Sequence, residues 1–182
     1  MKDADDLIRR KKKALYRLAL ARADIRGAME GCDFLIANGI KAGDKLYPTL
    51  HDGIIIAYAR PFTANEPLGC LPRKWSKFDD PELTRLHNEL LYLRQKTVGH
   101  SDARERKVYI VPSGARMYNA GPPNINLGIG VRNWALPLER WHDVRALCRD
   151  LGESLSLEIE SEVQVLYSGG TYAPEPFEVT LD

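Results

Sequence analysis

The chain is poor in cysteine. Its three thiols, Cys32, Cys70 and Cys148, are widely scattered, and no CxxC pair occurs. An odd, dispersed set argues against a disulfide framework and against structural zinc, and it fits reduced thiols in a cytoplasmic protein. Long apolar runs are missing as well. Nothing approaches ~18 consecutive apolar residues, so no membrane-spanning helix is expected. The opening MKDADDLIRRKKK is charged, with no apolar core behind it, which argues against a secretory signal. Net charge is nearly absent: 26 basic against 25 acidic residues leave +1. Any case for nucleic-acid binding must therefore rest on local patches. No phosphate loop is present either. Gly128-Ile129-Gly130 sits in a strand pattern, without the third glycine that would open a helix.

What is there is an ordinary globular composition over 182 residues, enough for one domain with a full core. Residues 1–182 are read as a single helical domain. A first helix is expected over about 3–37. Asp3, Asp5 and Asp6 fill its first turn, where carboxylates complement the helix dipole. Leu15, Leu18, Ile25, Met29, Cys32 and Ile36 recur at helical spacing, with Arg22 as a break. Gly39 and Gly43 end it. The run Arg9-Arg10-Lys11-Lys12-Lys13 covers most of the helix circumference, a pattern of solvated surface first and of RNA-backbone contact second. A second helix over about 44–60 carries Leu46, Leu50, Ile54 and Ala57 on one face. Pro48 is tolerated near its start, and Pro61 stops it. The aromatic loop 62–79 should be packed down by Trp75 and Phe78.

The third helix, about 80–99, has the clearest start in the chain. Asp80 suits the N-cap, Pro81 the first helical position and Glu82 the first turn. Leu83, Leu86, Leu90, Leu93 and Thr97 form its buried stripe, and His87, Leu91, Arg94 and Val98 form the neighbouring one. The period then changes to two. Val108–Val111 and Ile125–Val131 read as strands joined across Gly121-Pro122-Pro123-Asn124, giving a β-hairpin over about 107–132. A fourth helix, about 137–167, carries the stripe Trp141, Val144, Cys148, Leu151, Leu155, Ile159, Val163 and Leu166. The tail 169–182 reads as irregular. The fold class is mainly α: a four-helix bundle with an inserted β-hairpin.

Polar residues suited to chemistry concentrate in Arg94-Gln95-Lys96-Thr97-Val98-Gly99-His100-Ser101-Asp102. Arg94 is a permanent cation able to grip a phosphate in two places, and His100 is the side chain whose charge changes near neutrality. On a straight helix six steps would leave them about 120° and about 9 Å apart. Gly99 readily takes a left-handed conformation, so it can end the helix and let His100 fold back. Convergence with a second subunit is the alternative.

Other polar groups carry less. His87 shares Arg94's face and could line a cleft, though a surface or core histidine is the simpler reading. His51-Asp52 and His142-Asp143 are adjacent on helices and should not face each other, which favours surface roles. A metal site of His87, His100 and Asp102 lacks any HExxH-like spacing, so no metal is expected. Tyr58 and Arg60 are accounted for equally by packing.

An amphipathic helix ending in arginine, a polar residue and, after a short spacer, histidine resembles the R-x(4–6)-H motif of HEPN domains. RQKTVGHSD is similar to that family's RNK-x-x-AHSD form, through Arg94, Gln95 and His100. The helical order agrees, whereas a β-hairpin is not part of the minimal domain. Two departures stand out. Gln95 replaces the usual asparagine or aspartate, and Asp102 stands where some toxin members carry a modifiable tyrosine. The resemblance implies a metal-independent endoribonuclease in a toxin–antitoxin, phage-defence or RNA-processing setting, without a cofactor. It implies His100 as proton carrier, Arg94 as stabiliser of phosphorane charge and Gln95 as positioning group. Substrate contacts would come from His87, Ser101 and Asp102. Its partners would be RNA, a second copy forming a homodimer, and an antitoxin or other protein. The alternative is a HEPN-like RNA-binding or protein-interaction module without cleavage. A third possibility is an unrelated helical protein in which Arg94 and His100 pair structurally.

Overall fold

In the computed structural model of the chain, the residues described are 2–64, 66–98, 106–116, 128–133, 136–167 and 176–181. Four α-helices dominate: α1 (Lys2–Ala37), α2 (Tyr47–Ala59), α3 (Pro81–Leu93) and α4 (Arg140–Tyr167). The main-α class and the order of the helices follow the periodicity of the sequence.

The long helices α1 and α4 run antiparallel. Their ends are tied by Arg145 to Asp33 at one end and by Lys11 to Glu162 at 2.8 Å at the other. Between them α1 buries Leu18, Ala21, Ile25, Ala28, Cys32 and Leu35, at alternating steps of three and four. That seam differs from the expected one. Met29 and Ile36 are only partly buried, while Ala21, Ala28 and Leu35 face the core. A seam of 3.5-residue period lets two long helices stay in contact, and alanine lets their backbones approach closely. On α4, burial follows Trp141, Val144, Leu147, Cys148, Leu151 and Leu155, with Ile159 partly packed. Val163 and Leu166 are half-buried, short of the expected stripe. The reason is length. With 13 residues each, α2 and α3 reach only about 20 Å, against about 54 Å for the 36 residues of α1.

Local signals set the helix ends. Gly39, at φ +60°, closes α1, and the Ile40 N–H donates to Leu35 O at 3.0 Å, satisfying a terminal carbonyl. Helix α2 starts at Tyr47 rather than at Asp44, whose carboxylate instead accepts from the Lys41 N–H at 2.8 Å in the preceding turn. It ends at Ala59, and Pro61 follows in a short 3₁₀ turn, Arg60–Phe62. The Asp80 side chain accepts from the Glu82 N–H at 2.8 Å, as an N-cap should. The loop between them is packed down as expected: Leu71 and Trp75 are buried and Phe78 is partly so.

Strands β1 (Arg106–Val111) and β2 (Gly128–Asn133) pair antiparallel, with Val108 opposite Val131 and Ile110 opposite Ile129. Alternation shows along β1. Val111 is buried, whereas Val108 and Ile110 are 69% and 74% exposed. Residues 117–127, where the sequence suggests a turn, lie outside the described residues, as does most of the tail.

Candidate functional site

Helix α3 carries the groups singled out by sequence, and its N-cap fixes where they fall. Its buried face is Leu86, His87, Leu90 and Leu93. His87 is 1% exposed, so the structure corrects the expectation that it lines a cleft and contacts substrate. It is a core residue. Its Nδ1 lies 2.8 Å from the Tyr58 hydroxyl, its ring meets Phe62 edge-on at 4.6 Å, and Phe78 closes a third side at 5.5 Å. An apolar box disfavours the imidazolium, so burial lowers His87 from 6.5 to about 4, and the ring is neutral at pH 7. The same burial raises the Tyr58 hydroxyl well above its ordinary value. Burial thereby keeps both groups in their neutral forms, and they hydrogen-bond each other.

At Leu93 the backbone changes. The Arg94 N–H donates to both Leu90 O and Leu91 O, and residues Arg94–Val98 form a π-helical turn. Single π turns are uncommon and concentrate at functional sites, because widening the helix re-aims the side chains that follow. The turn packs beside α2. Arg94 is half-buried there, and among the described residues its guanidinium has no hydrogen-bond or ion-pair partner. A cation in this setting is unusual, since burial removes hydration without supplying a counter-charge. Gln95 is exposed and Lys96 half-buried beside it. Gly99, His100, Ser101 and Asp102 lie outside the described residues, so their placement relative to Arg94 is not part of the geometry. The α-helix therefore ends six residues before Gly99, at Leu93.

A second polar cluster departs from expectation. His51 is 3% exposed, on the inner face of α2, rather than on the surface. Adjacent residues do meet here, with His51 Nδ1 2.8 Å from Asp52 Oδ1. The ring lies edge-on to Trp141 and tilted over Tyr47, both at 5.6 Å, while the Tyr47 hydroxyl donates to Leu136 O at 2.8 Å. Among the described residues, the buried His51 Nε2 has no hydrogen-bond partner. The Asp52 carboxylate can only accept, so His51 Nδ1 is the donor of their contact. One signal could have found this cluster: Tyr47, His51 and Ile54 recur at steps of four and three, and such spacing shares a face. His142-Asp143, by contrast, is exposed as expected.

The remaining candidates resolve simply. In the basic run Lys11 pairs with Glu162, and Arg9, Arg10 and Lys13 are exposed, as a solvated helix surface requires. Among the described residues, no three His, Cys, Asp or Glu side chains gather as a metal centre would need. Cys32 and Cys148 are buried in the α1–α4 seam, and burial pushes the Cys32 thiol up to about 12, away from thiolate chemistry. Among the described residues, no helix is long and apolar enough to cross a membrane. No family model, no curated protein and no solved structure matches the chain.

Proposed function

We propose that the chain is a metal-independent endoribonuclease of HEPN type, with Arg94 and His100 as its chemical pair. One observation carries the reading: a half-buried arginine with no ion pair among the described residues, at a π turn that opens the R-x(5)-H segment. A guanidinium so placed can take an anion, and its planar fork matches two phosphate oxygens. In the proposed reaction His100 takes the proton of a ribose 2′-hydroxyl, and the 2′-oxygen attacks the adjacent phosphorus. The bond to the 5′-oxygen breaks, and that oxygen leaves with a proton taken from water. The products are a 2′,3′-cyclic phosphate and a 5′-hydroxyl. Arg94 balances the charge that grows on the non-bridging oxygens, where electrostatic stabilisation is most effective. Gln95, exposed at the start of the turn, positions the phosphate, and Ser101 and Asp102 contact the substrate. His87 has no part in it beyond supporting α3.

The deciding experiment incubates the purified chain with mixed RNA in EDTA, beside Arg94→Ala and His100→Ala variants of matched helical content. Cleavage by wild type, lost in both variants and ending in cyclic phosphate, supports the reading. Equal cleavage by all three, or none at any concentration, sinks it. A salt-sensitive shift of labelled RNA by a non-cleaving wild type would favour the binding-module alternative.

A further inference from the structure

Strand β1 reads Arg-Lys-Val-Tyr-Ile-Val and β2 reads Gly-Ile-Gly-Val-Arg-Asn, so the pair holds three cations and no carboxylate. The register sets Lys107 directly opposite Arg132, with Arg106 beside them opposite Asn133. Like charges directly opposite weaken a strand pair, and an anion shared between them removes that cost. These cations lie at the end of the hairpin nearest in sequence to the Arg94–Asp102 segment. Lys107 follows His100 by seven positions, a reach of at most about 25 Å.

The two sides of the sheet differ. Strand alternation puts Val108 and Ile110 on one side and Lys107, Tyr109 and Val111 on the other. Val108 and Ile110 are open to solvent, while Val111 is buried and Tyr109 is 39% exposed. The second side is therefore covered at Val111 and opens at Tyr109, with Lys107 and Arg132 the next positions along. Across the ladder Tyr109 meets Gly130 and Val111 meets Gly128. Neither glycine has a side chain, so β2 beside Tyr109 is bare backbone, a setting in which a ligand can approach a strand closely. An aromatic ring next to bare backbone gives a planar group a surface to stack on. The cation pair lies two residues along the strand, about 7 Å away, where it can take that group's charge.

We infer that this side of the hairpin is a single-strand clamp, which holds unpaired RNA beside the Arg94–His100 site. A base stacks on Tyr109, and the phosphate next to it lies against Lys107 and Arg132. The ring decides between strand forms. Cations alone would accept any phosphate backbone, but a tyrosine ring reaches only a base that has left the duplex stack. The clamp thus sets a substrate class that the R-x(5)-H segment leaves open: RNA that is unpaired within a few nucleotides of the cut. It rests on RNA being the substrate of that segment, yet it uses none of the segment's residues, so the two can fail separately.

The test measures binding by the full chain to a mixed-sequence RNA of about 12 nucleotides, fully 2′-O-methylated so that it has no nucleophile and is not cut. Fluorescence anisotropy should show the single strand bound at least about tenfold more tightly than the same strand annealed to its complement. Tyr109→Leu should remove that preference by weakening single-strand binding about tenfold or more, whereas Tyr109→Phe, which keeps the ring, should bind like wild type. Lys107→Gln and Arg132→Gln should weaken binding of both forms, and each should flatten the dependence of log Kd on log salt by about 1. All variants are compared at matched helical circular dichroism and melting temperature. No binding of the single strand, equal affinity for single strand and duplex, Tyr109→Phe as weak as Tyr109→Leu, or cation variants with the salt slope of wild type would each overturn the clamp. Unmodified RNA separates it from the ribonuclease reading. Cutting in EDTA that Tyr109→Leu leaves unchanged sinks the clamp alone, and Tyr109-dependent binding without cutting sinks the ribonuclease alone.

Discussion

Replacing His87 with glutamine should change how stability depends on pH more than it changes stability at neutrality. In the folded chain the imidazole is held to about 4 by its apolar box, whereas an unfolded chain returns it to 6.5. The unfolded state therefore binds the proton more readily. Stability is fully present above pH 6.5 and is lost as pH falls through the window down to about 4. Across the whole window the loss amounts to about 3 kcal/mol, and between pH 7 and pH 5 it is about 2 kcal/mol. A domain with a total of about 5–15 kcal/mol would register either figure clearly. Glutamine can still hydrogen-bond Tyr58 but does not titrate. Urea unfolding of wild type and variant at pH 7, 6 and 5, followed by far-ultraviolet circular dichroism, isolates the effect as a difference of differences. The gap between the two proteins should narrow by about 2 kcal/mol as pH falls from 7 to 5. Parallel pH profiles would mean that His87 is not held neutral by burial, and the placement of α3 against Phe62 and Phe78 would be wrong with it.

Other consequences are local. Gly31 lies against α2, and an added Cβ would sit 2.6 Å from Ile54 Cγ1. Gly31→Ala should therefore destabilise by about 1–3 kcal/mol despite its better helix propensity, and Ile54→Ala in the same chain should recover part of that in a double-mutant cycle. Asp80→Ala removes the cap on α3 and should cost about 1 kcal/mol by thermal unfolding, whereas Asp80→Asn should cost less. Arg94→Lys keeps the charge but loses the fork. Its melting temperature should stay near that of wild type, while RNA cleavage falls at least about tenfold; unchanged cleavage would count against a two-point phosphate grip.

Much of the architecture was legible because its signals are local. Asp80-Pro81-Glu82, Pro61 and Gly39 act on the backbone within a turn of themselves, so three helix boundaries follow from neighbouring residues alone. Periodicity gave the number and order of the helices, and it also gave the Arg94–Asp102 segment as the place where polar residues look selected. Tertiary structure decided what periodicity leaves degenerate. On α1, two adjacent apolar tracks compete. Only packing against the neighbouring helices selects Ala21, Ala28 and Leu35 over Met29 and Ile36. His87 and His51 look alike in sequence, as helix-borne histidines among mixed neighbours. Packing encloses both, one bonded to Tyr58 and the other bonded to Asp52. The π turn at Arg94 has no marker in the sequence either. It packs beside α2, and there Arg94 is half-buried with no ion pair among the described residues.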